Sequence, residues 1–238
     1  MNILVTICAR GGSKGIPGKN TRPLNGKPLL HYTFNTAKQF AREFHADIQL
    51  STDDDNIKNS AKQLNYETEY IRPENLSTDN AGKIDTIRHA WKFAENSNNR
   101  KYDLVLDLDV TSPLRNLKDL STSLEIILAH PGALNLFSVN KAARNPYFNM
   151  VEEAQNGFVK LVKNGNSYKS RQEAPQVYDM NASFYFFSRE FMIGDYPVSI
   201  TERSLIYVMP HICFDLDHPI DFTIMELLIT NNLLDFDL

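Results

Sequence analysis

Cysteine is scarce: Cys8 and Cys213 are the two among 238 residues, too few for a disulfide framework. No apolar segment approaches the roughly 18 to 20 residues needed to cross a bilayer. Nor is positive charge concentrated. Lys and Arg total 25 against 29 Asp and Glu, a formal charge of −4, and no basic run supplies the electrostatic footprint of a nucleic-acid binder. The chain opens on a strand-like run in place of a charged leader and long apolar stretch. The expectation is a soluble chain of a reducing cytoplasm, with neither nucleic acid nor membrane as partner. The six histidines, His31, His45, His89, His130, His211 and His218, form no HExxH pattern and no zinc-spaced cluster with cysteine. No serine occupies a G-x-S-x-G elbow. Internal repeats and low-complexity tracts are absent as well.

What is present is 42% hydrophobic and 23% charged residues, enough for one compact α/β domain with an arm, spanning 1–238, and too little for two large domains. The run Ile3 to Cys8 is β-branched and continuously apolar, as in a strand buried on both faces of a parallel sheet. Strand and helix then alternate: a helix at Leu29 to Phe44, a strand at Ile48 to Leu50, a helix from Asp55 to Leu64 and a strand at Thr68 to Ile71. A helix at Lys83 to Ala94, a strand at Asp103 to Asp109, a helix at Leu117 to His130 and a strand at Ala133 to Val139 continue the rhythm. It implies βαβ units with helices on both faces. Trp91 shares helical spacing with Ile84, Ile87 and Ala94, which predicts core packing. The polar stretch Asn145 to Tyr178 breaks the rhythm and reads as an inserted β-hairpin arm, within about residues 140–180. Strands at Ala182 to Phe187 and Leu205 to Met209 and a helix at Pro219 to Leu233 close the pattern.

Directly after the first strand stands Ala-Arg-Gly-Gly-Ser-Lys-Gly-Ile-Pro-Gly-Lys-Asn, Ala9 to Asn20. Amides of a glycine loop flanked by Arg10, Lys14 and Lys19 suit polyphosphate. Its spacing matches neither the dinucleotide fingerprint nor the Walker A loop, which argues against a nicotinamide-dependent oxidoreductase. A plain strand-to-helix turn with solvated lysines is the competing explanation, and the density of cations favours phosphate.

Asp-Leu-Asp occurs twice, at Asp107 to Asp109 and at Asp215 to Asp217. Strand residues two apart share a face, so each pair sets two carboxylates side by side, where they repel unless a cation joins them. Ligands of open α/β sheets bind beyond the carboxyl ends of strands, and these pairs suit Mg²⁺ held against a triphosphate. Asp217 has a second role open to it, capping the helix that starts at Pro219. Asp53 to Asp55 precedes a helix and is read as capping.

Four ordered motifs now stand together: the glycine loop, Arg-Pro-Glu-Asn-Leu-Ser-Thr-Asp at 72–79, Thr-Ser-Pro-Leu-Arg at 111–115 and Phe-Asp-Leu-Asp at 214–217. In this set the chain resembles the CMP-nonulosonate (acylneuraminate) cytidylyltransferases over nearly its whole length. Through Arg144 to Glu153 and Arg171 to Phe187 it is most similar to the members that activate legionaminic acid. The resemblance implies a three-layer α/β/α nucleotidyltransferase fold with a mainly parallel, mixed sheet, and a homodimer that exchanges its hairpin arms. It implies that Arg10, Ser13, Lys14, Lys19 and Asn20 contact CTP, that Arg72 helps fix the nucleotide, and that Asp215 and Asp217 hold Mg²⁺. Lys19 and those two aspartates form the implied catalytic set. Arg171, reaching in from the arm, Asn181 and Tyr178 are implied on the sugar side. Asp109-Val110 stands where sialate synthetases have Gln-Pro, so that glutamine contact does not carry over, and Asp109 is left as a contact to sugar, water or metal.

The implied reaction is attack of the anomeric hydroxyl of a nine-carbon acidic sugar on the α-phosphate of CTP. Legionaminic acid is the first expectation and N-acetylneuraminic acid the alternative. An eight-carbon Kdo enzyme is disfavoured by the segments at 144–153 and 171–187. A non-catalytic nucleotide-binding module is disfavoured because Lys19, Asp215 and Asp217 are all present.

Overall fold

The computed structural model describes residues 1–12, 15–163 and 168–238. Ser13 and Lys14 of the glycine loop therefore lie outside the described residues. The chain starts with β1 (Ile3–Cys8) and passes through a short hairpin, β2 (Pro23–Leu24) and β3 (Lys27–Pro28), into α1 (Leu29–Phe44). It continues through β4 (Asp47–Ser51), α2 (Asp55–Lys62), α3 (Lys83–Ser97), β5 (Leu104–Leu108), α4 (Leu117–Leu128) and β6 (Asn135–Lys141). A small hairpin, β7 (Val151–Glu153) and β8 (Val159–Leu161), precedes β9 (Tyr178–Ser188), α5 (Arg189–Ile193), β10 (Ser204–Val208) and α6 (Pro219–Thr230).

Six strands form the main sheet in the order β10-β6-β9-β5-β1-β4. β1 pairs parallel with β4 and β5, and β6 parallel with β10, while β9 runs antiparallel between β5 and β6. The sheet is thus mixed and mostly parallel, as expected. Its period-2 alternation divides the core. Ile3, Val5 and Ile7 of β1, with Leu104, Leu106 and Leu108 of β5 and Phe184 and Phe186 of β9, pack against α1, α2, α4 and α6. Leu4, Val105, Phe137, Tyr185 and Phe187 face the other way, against α3 and α5. Ile84, Ile87, Trp91 and Ala94 belong to that second layer, as their spacing predicts. Each fully buried phenylalanine contributes about 1.5 to 3 kcal/mol by leaving water, so truncating Phe184 or Phe186 at the sheet centre breaks the fold first.

Helix ends follow local chemistry. The Asp54 carboxylate accepts from the backbone N–H groups of Asn56 (2.7 Å) and Ile57 (3.2 Å) at the start of α2, an N-cap that stabilises the helix by about 1 kcal/mol. Asn116 and Asp119 form a reciprocal capping box at α4. The acidic run at 53–55 is a capping device, as read from sequence.

Two expectations need correction. Thr68 to Ile71 is not a strand. There the Thr68 hydroxyl accepts from the Tyr70 N–H (3.1 Å) and from the Gln49 amide (3.0 Å), so a side-chain turn replaces the ladder; Tyr70 is buried and Ile71 exposed. Residues 212–217 are not a strand either. The segment is fastened by the Leu216 N–H to the Thr111 carbonyl (2.9 Å) and enters α6 directly. The arm at Asn145 to Tyr178 does contain an antiparallel hairpin, β7–β8, with Gly157 turning at φ 79°. Its far end, Tyr178, belongs instead to β9.

Candidate active site

A cleft of about 330 Å³ opens beyond the carboxyl ends of β1 and β5, bordered by the glycine loop, the 72–81 segment and the start of α3. The loop is pinned on both sides. On one side the Gly11 N–H donates to Asp53 Oδ1 (3.0 Å), and a Cβ at Gly11 would stand 2.4 Å from Asp54 Oδ2. On the other, a Cβ at Gly15 would lie 2.7 Å from the Asp217 carbonyl oxygen. Glycine is required at both positions because the neighbouring segments approach the bare backbone. The Asn20 amide donates to the Arg10 carbonyl (2.9 Å) and holds the loop from within. Lys19 Nζ donates to the Leu216 carbonyl (2.5 Å), which stitches the loop to the second Asp-Leu-Asp. Arg10 reaches across to Asp79 (2.6 Å), joining the first motif to the second. Buried Arg72 donates to Ser51 Oγ (3.0 Å) and the Ser51 carbonyl (2.7 Å) while it lines the cleft.

The cleft floor is acidic and already holds a cation. Lys83, first residue of α3, places Nζ 2.9 Å from Asp109 Oδ2 and 3.3 Å from Asp107 Oδ2, and 4.4 Å from the centre of the Tyr185 ring. Asp107 is buried, and its Oδ1 accepts from the Thr6 hydroxyl (2.8 Å). Asp109 Oδ1 accepts from the Thr111 N–H (2.9 Å) and hydroxyl (2.8 Å). Burial pushes the Asp107 carboxyl upward, more than Lys83 lowers it. Burial works the same way on Asp109, but Lys83 and the Thr111 donors outweigh it and hold that carboxyl at about 2. The difference lies in the charge of Asp109, which raises Asp107, and in the two hydrogen bonds that Thr111 gives to Asp109.

The second pair is differently placed. Asp215 is half-buried and Asp217 exposed. Burial, then the charges of Asp109 and Asp217, raise the Asp215 carboxyl to about 6. Its Oδ1 is buried with no hydrogen-bond partner among the described residues. Helix α6 is capped without Asp217: Asp221 Oδ2 accepts from the backbone N–H groups of His218 (2.7 Å) and Asp217 (3.0 Å). A pair of carboxylates with an orphaned buried oxygen and a raised pKa fits a hard divalent cation. Among the described residues no three His, Cys, Asp or Glu side chains group closely enough to hold a metal by themselves, so the remaining ligands would be phosphate oxygens and water.

The structure thus brings Arg10, Lys19, Asn20, Arg72 and Asp109 around the cleft. It does not bring Arg171, Tyr178, Asn181, Asp215 or Asp217 to its lining; the last two flank Leu216, whose carbonyl Lys19 holds, and Asp215 feels the charge of Asp109. Arg171, on the arm, is exposed and donates to the Ala142 carbonyl (2.5 Å). Tyr178 is 39% exposed where β9 begins. Asn181 is buried: its Oδ1 accepts from the Ser138 hydroxyl (2.6 Å) and its Nδ2 donates to Asn140 (2.9 Å). This network sits where the β6–β9 register shifts and Ala182 adopts φ 55°, a left-handed backbone that non-glycine residues keep only when their surroundings enforce it. Sequence reading missed Lys83. Its signal was a lysine at the first position of a helix, where the dipole disfavours a cation. Arg115 of the third motif proves to be a fully buried clamp, donating to the carbonyls of Asp109, Ser112 and Ser183 (2.7 to 2.9 Å).

The family described as Cytidylyltransferase matches residues 4–234. The chain is 37% identical over 227 residues to a post-translational flagellin modification protein B of Campylobacter coli, covering 95% of this chain and 94% of that protein. It is 36% identical over 228 residues to a CMP-N,N'-diacetyllegionaminic acid synthase of Campylobacter jejuni, covering 96% and 95%. Among solved structures, a CMP:2-keto-3-deoxy-manno-octonic acid synthetase complexed with CTP superposes with a TM-score of 0.67 at 15% identity, covering 98% of this chain and 100% of that one. At that identity the likeness is one of fold.

Proposed function

The chain belongs to the cytidylyltransferase family, and from that premise we propose that it transfers CMP from CTP to the anomeric hydroxyl of a nine-carbon acidic sugar, legionaminic acid first, with release of pyrophosphate. The observation that carries this reading is the Lys19 bond to the Leu216 carbonyl, which fastens a cationic glycine loop to the segment that carries Asp215 and Asp217. A triphosphate needs both, cations for its oxygens and carboxylates for its metal. The relative from C. jejuni named for a CMP-legionaminic acid product supports the choice of sugar.

In the reaction the sugar's anomeric hydroxyl gives up its proton to solvent as its oxygen forms a bond to the α-phosphorus, and the bond from that phosphorus to the bridging oxygen breaks, pyrophosphate leaving with the electron pair. Arg10 and Lys19, with Ser13 and Lys14 beside them in the loop, hold the phosphates in line and offset their charge. Arg72 and Asn20 fix the nucleotide side of the cleft. Asp215 and Asp217 hold Mg²⁺, which when bound neutralises charge on the reacting phosphates. Asp109, Arg171, Tyr178 and Asn181 serve the sugar. Arg171 lies away from its own cleft lining, and the hairpin exposes Val151, Phe158 and Val159 to solvent. Both features fit a homodimer in which each arm reaches the partner's site, because a two-stranded excursion is marginal alone. Light scattering checks this; a fully active monomer refutes it.

The test of the reaction is pyrophosphate release with CTP, Mg²⁺ and separate acidic sugars. Legionaminic acid carries a methyl at C9 and an acylated amine at C7 where N-acetylneuraminic acid has hydroxyls. Half-exposed Tyr147, Phe148, Tyr178 and Met180 offer it apolar surface. An apolar pocket rejects an added hydroxyl by only roughly a hundredfold, so the expected result is preference for legionaminic acid with residual use of N-acetylneuraminic acid. Equal kcat/KM values overturn the sugar assignment. No release with any nine-carbon acidic sugar overturns the reaction.

A further inference from the structure

Two carboxylates two residues apart suit a divalent ion, and the chain has two such pairs, Asp107/Asp109 and Asp215/Asp217. The pair at Asp107 and Asp109 differs in having a covalently tethered cation between its members. Lys83 Nζ lies 2.9 Å from one carboxylate and 3.3 Å from the other, over the face of Tyr185 at 4.4 Å. That ring is the cross-strand neighbour of Asp107, and its face favours a cation. The position disfavours a cation on helical grounds, since Lys83 opens α3 at the positive end of the helix dipole. What offsets this is the acidic pair itself.

We propose that Lys83 is the resident counter-cation of the cleft floor, standing where a divalent ion would otherwise bridge Asp107 and Asp109, so that Asp109 is a substrate-positioning group and not a metal ligand. The reasoning is electrostatic and steric. An ammonium at hydrogen-bond distance from both carboxylates occupies the space between them, and a dication admitted beside it would meet a like charge at close range. Both oxygens of Asp109 are already directed, Oδ1 by Thr111 and Oδ2 by Lys83, which leaves it a fixed, partly exposed anion in the cleft lining. The ammonium has one N–H left after its two carboxylates, on a side chain that lines the cleft. Among the described residues no lysine bridges Asp215 and Asp217, and one Asp215 oxygen lacks a hydrogen-bond partner. This inference rests on the reading that those two hold the divalent ion, and the experiment separates the two claims.

Mn²⁺ is titrated alone into the full chain and free Mn²⁺ is counted by its electron paramagnetic resonance signal. In the otherwise unaltered chain, Asp109→Asn should change the apparent Mn²⁺ Kd by less than about twofold, whereas losing a true carboxylate ligand weakens binding far more. Lys83→Met should gain one Mn²⁺ site. The gain should be absent in Lys83→Arg and should disappear again in Lys83→Met combined with Asp109→Asn. Circular dichroism and thermal melting report whether each variant folds. If Lys83→Met does not fold, the Asp109→Asn comparison still decides. The proposal is overturned if Asp109→Asn alone weakens Mn²⁺ binding as strongly as Asp217→Asn, or if folded Lys83→Met gains no site. A gain in Lys83→Met together with unchanged Mn²⁺ binding in Asp215→Asn and Asp217→Asn upholds the role of Lys83 and rejects the metal assignment at the second pair.

Discussion

Asp107-Leu108-Asp109 and Asp215-Leu216-Asp217 are the same tripeptide in two settings. In both, the central leucine is fully buried in the layer shared with α1 and α4; strand alternation turns Asp107 away from Leu108, and the irregular segment leaves Asp215 half-buried and Asp217 exposed. There the likeness stops. The first pair ends a central strand under α3 and has Lys83 across it; the second lies in an irregular segment with Asp217 exposed and one Asp215 oxygen without a hydrogen-bond partner among the described residues. Local sequence set which way the carboxylates point. What each can bind depends on the group that another part of the chain brings to face it.

The most direct way to break this comparison is Asp217→Asn. Because Asp221 supplies the cap of α6, the substitution should leave the fold intact and lower kcat by about a hundredfold or more, on the order of 3 kcal/mol of transition-state stabilisation. Near-normal turnover with unchanged Mg²⁺ dependence would contradict the metal role.

A smaller effect is expected from pH. Asp215, raised to about 6, should give kcat/KM an acid limb there at low Mg²⁺, falling about tenfold per pH unit below it. Saturating Mg²⁺ should move the limb downward, since a cation favours the ionised carboxylate. Asp109, held at about 2, should give no limb in that range. The stability signs are opposite too. Asp215 has a folded pKa above its ordinary 3.8, so its protonation favours the fold below about 4 and that contribution is lost as pH rises through about 6. Asp109 contributes stability above about 4 that is lost as pH falls through about 2. A pH–rate series at two Mg²⁺ concentrations, with melts across the same range, reads both; a limb that ignores Mg²⁺ would remove Asp215 from the metal site.

The smallest change is expected of Asp107→Asn. Asparagine keeps a carbonyl oxygen to accept from the Thr6 hydroxyl, and Lys83 keeps its bond to Asp109. Stability should shift by less than about 1 kcal/mol, measured by denaturant titration. A loss several times larger would mean that Asp107, and not Asp109, is the main partner of Lys83.

Much of this was legible beforehand. The helix at Leu29 to Phe44 and the strand at Ile3 to Cys8 occur where apolar periodicity puts them, because burial on a sheet or helix face is a local pattern. The false strand at Thr68 to Ile71 failed because β-branched and aromatic residues also suit a turn when a threonine hydroxyl satisfies the backbone. Arg10, Lys19, Arg72 and Asp109 were singled out from motif and charge, and the cleft gathers them. Lys83 was not, since nothing within its own segment records that Asp107 and Asp109 will lie opposite.

By itself, then, the sequence determined the alternation of strands and helices, the faces they bury and the capping of α2, all of which depend on neighbours within a few residues. Only the tertiary structure decided which Asp-Leu-Asp would be neutralised from within, that Lys19 would bind the Leu216 carbonyl, and that Arg115 would be a buried clamp. Those outcomes depend on the electrostatics of groups tens to hundreds of residues apart, which take their values only once folding has set their distances and removed the water between them.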